Sequence, residues 1–198
     1  MIAEMQPLYW RIQDTDNSGL DAVSLLMPAN EGEPATVVPT DVSFCSRRSG
    51  NQAVDVRWSD DDSDLFLSLL ERVSSEDAED DSIVLDINDG IVQGIVQLVA
   101  LTRFKTPWPS DELVGDDINT ERDETEIGDL VALNTRYGFV MGIVVGMDSI
   151  DMTCILLEDI SDGDVCLVPD HSVLVFDRTN VLPIAFADTD TGEGATFH

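Results

Sequence analysis

Between Ile127 and Pro183 the chain reads as one short apolar run after another, each closed by a glycine or aspartate turn. The runs are "GDLVAL", "GFVMGIVVGM", "MTCILLE", "GDVCLVP" and "SVLVF". Runs this short, rich in Val and Ile and punctuated by turn residues, predict strands. Their spacing is that of a small β-barrel. Val131, Leu133, Val140, Ile143, Val145, Ile155, Leu157, Val165, Leu167, Val173 and Val175 are the expected core.

The N-terminal half mixes periods. In "LYWRIQ", Leu8, Trp10 and Ile12 alternate with Tyr9, Arg11 and Gln13, which predicts a strand. "DVSFCSRRSGNQAVDVRWS" predicts a hairpin, Val42 and Phe44 on one arm and Val54, Val56 and Trp58 on the other. The period then changes. Leu65, Phe66, Leu69, Leu70 and Val73 form a helical stripe, with Ser59 or an early aspartate as N-cap. Farther on, Asn88-Asp89-Gly90 sits between two β-branched runs, where turn chemistry favours a hairpin and residues 91–101 alternatively form a short buried helix.

The expected class is mainly β: an α+β module over 1–101 with one helix near 60–75, and a small β-barrel over 125–186. An acidic linker or surface-hugging loop spans 102–124, and a polar tail spans 187–198. The opening of the second module, Gly128-Asp129-x-Val131 followed by Tyr137-Gly138-x-Val140-x-Gly142-x-Val144, resembles the start of SH3-like barrels, including KOW-type ones. That resemblance implies a fold and no single function.

Charge limits function more than fold. The net charge is -30, from 28 aspartates and 12 glutamates against nine arginines and the single lysine, Lys105. Disordered acidic chains lack this density of Val, Ile and Trp. Molar salt shortens the Debye length to roughly 3 Å and screens such repulsion, so a halophilic source is expected. A GC-rich genome would also exchange lysine for arginine. Direct nucleic-acid binding is disfavoured, because it proceeds through Lys and Arg contacts to phosphate.

Motifs for chemistry are few. "DTDNSGLD" at 14–21 opens like a calcium loop, with Asp14, Asp16 and Ser18 at the first three ligand positions and Gly19 at the turn. The twelfth position, where a bidentate glutamate belongs, is Leu25, and the flanks read as strands. A hairpin turn is therefore favoured, with calcium or magnesium at most loosely held and no other cofactor. Cys45, Cys154 and Cys166 form no C-x-x-C and no disulfide framework. His171 is the one histidine within the folded pattern, and neither G-x-S-x-G, H-E-x-x-H nor a phosphate loop accompanies it.

No catalytic residues are assigned, and an enzyme is not expected. The N-terminus lacks the basic and apolar regions of a signal peptide, and no run reaches the roughly 20 apolar residues of a membrane span. The expected function is structural: an assembly component acting on other protein subunits, with a homo-oligomer as one form of that assembly, in a virion or the cytoplasm of a halophilic host. Met141, Met147, Ile150 and Met152 are the candidate interaction residues. Two alternatives remain. One is an acidic DNA-mimic inhibitor of a nucleic-acid-binding enzyme, and the other a halophilic binding module with weak cation binding.

Overall fold

The structure is a computed structural model that describes residues 7–14, 19–28, 34–45, 53–73, 86–116 and 125–184 of the chain. It is mainly β and divides into two compact units, Met1–Lys105 and Thr106–His198.

The N-terminal unit is an antiparallel sheet of β1 (Tyr9–Asp14), β2 (Leu20–Met27), β3 (Thr36–Cys45) and β4 (Val54–Arg57) with two helices, α1 (Asp60–Val73) and α2 (Gly90–Phe104). The strand order is β3-β2-β1-β4. The expected hairpin between β3 and β4 does not form, because these strands lie at opposite edges. β1 instead takes β4 as its second partner, in the register Trp10↔Val56. The turn expected at Ser49-Gly50-Asn51 lies outside the described residues. Pro39 fits within β3 because an edge strand needs no ladder donor on its outer side.

The period-2 pattern of β1 and β2 turns Trp10, Ile12, Val23 and Leu25 inward, all buried. α1 begins with a reciprocal cap. Ser59 Oγ accepts from Asp62 N at 3.2 Å, and Asp62 Oδ2 accepts from Ser59 N at 2.9 Å. α2 corrects the favoured hairpin at Asn88-Asp89-Gly90. Asp89 is its N-cap, accepting from Ile91 N at 2.8 Å, and Val92, Ile95, Val96 and Val99 form the buried stripe. Among its described residues the N-terminal unit thus has two helices where one was expected.

The C-terminal unit is a five-stranded antiparallel sheet plus a small hairpin. Its strands are β5 (Leu130–Thr135), β6 (Gly138–Met147), β7 (Asp151–Leu156), β10 (Val173–Asp177) and β11 (Val181–Pro183), ordered β10-β7-β6-β5-β11. β8 (Ile160–Asp162) and β9 (Val165–Val168) make the separate hairpin. One 3-10 turn, Arg178–Asn180, carries the chain from one edge of the large sheet to the other. Among the described residues no ladder joins β10 to β11, so the sheet is not closed by hydrogen bonds.

Its core gathers Leu133, Val140, Val144, Cys154, Leu156, Leu174 and Phe176 from four strands. Gly142 makes this possible: a Cβ there would come within 2.9 Å of Leu133 Cδ1. The opposite face is buried too, at Ala132, Ile155, Val173 and Leu182. Two expected core residues lie outside, Val165 at 61% and Leu157 at 41% exposure. Both sit at strand or hairpin ends, where alternation no longer decides the face.

The acidic stretch before β5 belongs to this unit as far as Asp116. Trp108 N donates to Val173 O at 2.8 Å, Arg136 N donates to Leu113 O at 2.9 Å, and Leu113 enters the core. Thr102–Phe104 complete α2 rather than beginning a linker. Residues 117–124 and the tail from 185 lie outside the described residues. Among the described residues no helix is long and apolar enough to cross a membrane.

Candidate functional site: an apolar pocket in the N-terminal unit

The sheet of the N-terminal unit and its helices leave a cavity of about 250 Å³. Leu25 and Met27 of β2, Val38 of β3, Phe66 and Leu67 of α1, and Val92 and Val96 of α2 line it, with Trp58 at one wall. An apolar cavity of roughly 150 Å³ accepts a benzene ring, so this one has room for an aromatic or two aliphatic side chains. Leu67 is 52% exposed and marks where the pocket reaches the surface.

The aromatic wall is rigidly built. Trp58 stacks on the buried Trp10 with centroids 4.8 Å apart, and Phe66 meets Trp58 edge-on at 6.1 Å. Trp10 is held from below, its Nε1 donating to the capping carboxylate Asp62 at 3.1 Å. Trp58 Nε1 donates to Ser63 Oγ at 2.9 Å, and Ser63 Oγ donates to Ser59 O at 3.1 Å. The polar groups of the wall are thus satisfied by one another. What remains for a guest is apolar contact.

A second cleft of about 220 Å³, lined by Asp61, Asp62, Leu65, Val99, Thr102 and Arg103, is of mixed polarity. It places an arginine among aspartates, and its one hydroxyl, Thr102 Oγ1, donates back to Leu98 O at 2.9 Å.

Neither a protein-family model nor a curated protein sequence matches the chain significantly. Function therefore rests on the geometry.

The residues singled out in the sequence are scattered. Asp14 ends β1, while Asp16 and Ser18 lie outside the described residues. Met147 and Ile150 are exposed around the β6–β7 turn, Ile150 at 64%. Met141 is half-buried on β6. Met152 goes the other way: at 3% exposure it is part of the core, because β7 alternation aligns it with Cys154 and Leu156. It is no surface residue, and the four do not form one patch.

Among the described residues the thiols and the histidine belong to no group that could hold a metal ion. Cys154 is buried, and desolvation pushes its thiol up to about 12. Partial desolvation and the neighbouring Asp159 carboxylate raise the Cys166 thiol, which suppresses the nucleophilic thiolate. His171 is exposed in a left-handed turn at φ 55°, its Nδ1 4.0 Å from Asp170. The pocket was missed in the sequence, although helical spacing at Val92, Ile95, Val96 and Val99 carried its α2 wall.

Proposed function

We propose that the chain is a non-enzymatic assembly protein whose N-terminal unit receives an apolar side chain of a partner protein. The carrying observation is the pocket between the sheet and α1 and α2, apolar throughout, with its few polar wall atoms already paired. Catalytic pockets place charged or polar groups toward a reacting atom, and this one presents none among the described residues. The net charge of -30 selects the partner: an apolar anchor flanked by lysine or arginine meets complementary charge, whereas a second copy meets repulsion. We place this function in a salt-adapted host and, as an extension, in a virus particle, with the C-terminal unit as an SH3-like scaffold.

The test uses the full chain at molar salt and short peptides carrying one Trp or Leu anchor between arginines. Saturable binding that Leu67→Asp abolishes without loss of circular dichroism supports the reading. Peptides with glutamate flanks should bind at least tenfold more weakly. A chain that stays a monodisperse monomer and binds none of the peptides removes the assembly function and favours the nucleic-acid mimic. Concentration-dependent dimers lost in Leu67→Asp would make the occupant a second copy. Capsid and portal genes beside this one support the virion setting, and restriction-defence genes count against it.

A further inference from the structure

We propose that the end of the β1–β2 hairpin holds a hydrated divalent cation, magnesium or calcium, between Asp14 and Asp21. The two residues are direct partners across the ladder, Asp14↔Asp21. Directly opposed residues share a face of the sheet, with Cβ atoms about 4.5–5.5 Å apart. That face is the core face: Trp10 and Ile12 precede Asp14 at two-residue steps, and Val23 and Leu25 follow Asp21. Asp21 is only 5% exposed. One oxygen of each carboxylate, Asp14 Oδ1 and Asp21 Oδ2, is buried without a hydrogen-bond partner.

The surroundings sharpen the problem. Across β3 the partner of Asp21 is Phe44, which stacks on Phe104 at 6.2 Å. Arg11, the basic residue of β1, is committed to Asp55 on the neighbouring strand. Asp62, a second buried carboxylate among the described residues of this unit, shows what satisfaction looks like. It accepts from Trp10 Nε1 and from Ser59 N. Two like charges face to face are destabilising, and a buried charge persists only when paired or bound to a metal.

Oxygen donors without sulfur or nitrogen select a hard cation. Two carboxylates supply too few oxygens for a full calcium cage of six to eight, so water completes the shell, as is usual for magnesium. The pair shares Asp14 with the loop template but not its other ligands, which fall at the third, fifth, seventh, ninth and twelfth positions. Asp21 is the eighth residue of "DTDNSGLD", and the β2 strand, not the loop spacing, brings it to Asp14.

The experiment is calorimetric titration of the chelator-stripped full chain with magnesium chloride, then calcium chloride, in molar potassium chloride. At that ionic strength diffuse attraction to the acidic surface is screened, so only a built site gives saturable heat. One site per chain is expected, weakened at least tenfold in Asp21→Asn and in Asp14→Asn and unchanged in the exposed control Asp60→Asn. Absence of a saturable site for both ions overturns the proposal. So does a site that survives Asp21→Asn. If Asp21→Asn does not fold, thermal unfolding decides: saturating cation must raise the Tm of the wild type and leave that of Asp14→Asn unmoved. An equal rise in both overturns it.

Discussion

The two units solve burial differently, and the difference separates the part that can bind from the part that holds. The N-terminal unit packs two helices on a four-stranded sheet and leaves a cavity of about 250 Å³. Its described residues also include Asp14, Asp21 and Gln97, each with an unpartnered buried polar atom. The C-terminal unit buries both faces of its sheet, and its buried amides are paired. Asn134 Nδ2 donates to Asp116 O at 2.7 Å and to Asn180 Oδ1 at 3.3 Å. Unfilled volume and unpaired polar atoms cost stability and persist where a ligand repays them. Among the described residues the N-terminal unit holds the apolar cavity and the unpartnered buried atoms, and the C-terminal unit the fuller packing.

Salt gives the largest test. The N-terminal unit has 20 acids against 7 bases, and the C-terminal unit 20 against 3, so the better-packed unit carries the greater net charge. Circular dichroism should show loss of structure as salt falls from molar to about 0.1 M. If packing quality decides, hydrogen exchange will show the N-terminal unit opening first. The C-terminal unit opening first would mean that charge repulsion outweighs packing, and a fold equally stable at both salts removes the halophilic reading.

Truncation comes next. A fragment of residues 106–198 should unfold cooperatively at high salt, and one of 125–198 should not. The second lacks Leu113, which is 9% exposed in the core, and the bonds from Trp108 to Val173 and from Arg136 to Leu113. Equal cooperativity in both fragments would mean that the acidic segment only decorates this unit.

That segment shows where the sequence was and was not legible. The β runs after Ile127 predicted β5, β6, β7 and β10 of the large sheet, because alternation and turn residues act locally, but not β11, whose three residues are too few to show a period. Residues 106–116 read as a linker or surface loop because their anchoring is backbone bonding to distant strands, which composition does not encode. The hairpin expected at Asn88-Asp89-Gly90 failed because a short acceptor before glycine serves a helix cap as well as a turn. Val92, Ile95, Val96 and Val99 held the helical period that decides between them. Asp21 was also within reach: two-residue steps back from Leu25 and Val23 put it on the buried face. The pocket was not, since a cavity is a property of how three elements fail to meet.

Packing substitutions give a smaller effect with opposite outcomes in the two units. Val144→Ile in the C-terminal core, where Val144 is fully buried, should cost about 1–3 kcal/mol. Val96→Ile on the pocket wall should be neutral or stabilise by about 0.5–1 kcal/mol, because its extra methyl enters existing space. Chemical denaturation of the full chain measures both. A cost at Val96 equal to that at Val144 would show that the cavity is not available to a side chain.

The smallest effect is electrostatic and lies on the N-terminal sheet. Arg11 grips Asp55 with two bonds, Nε to Oδ1 and a terminal nitrogen to Oδ2, each 2.9 Å, directly across β1 and β4. The Arg11 hydrogen bond holds the Asp55 carboxyl below its ordinary value. A group depressed in the folded state stabilises fully above its unfolded value, about 3.9, and loses that contribution as pH falls through the folded value. Arg11 stays charged throughout, so the window belongs to Asp55 alone. Both side chains are about a third exposed, at 34% and 37%, which limits the pair to roughly 0.2–1 kcal/mol. Asp55→Asn should therefore lower stability by that amount at pH 7 and by nothing at pH 2, with a smaller difference in molar salt. A double-mutant cycle with Arg11→Gln measures the coupling. A coupling that persists unchanged at pH 2 would mean that the two side chains hold β4 to β1 by packing and not by charge.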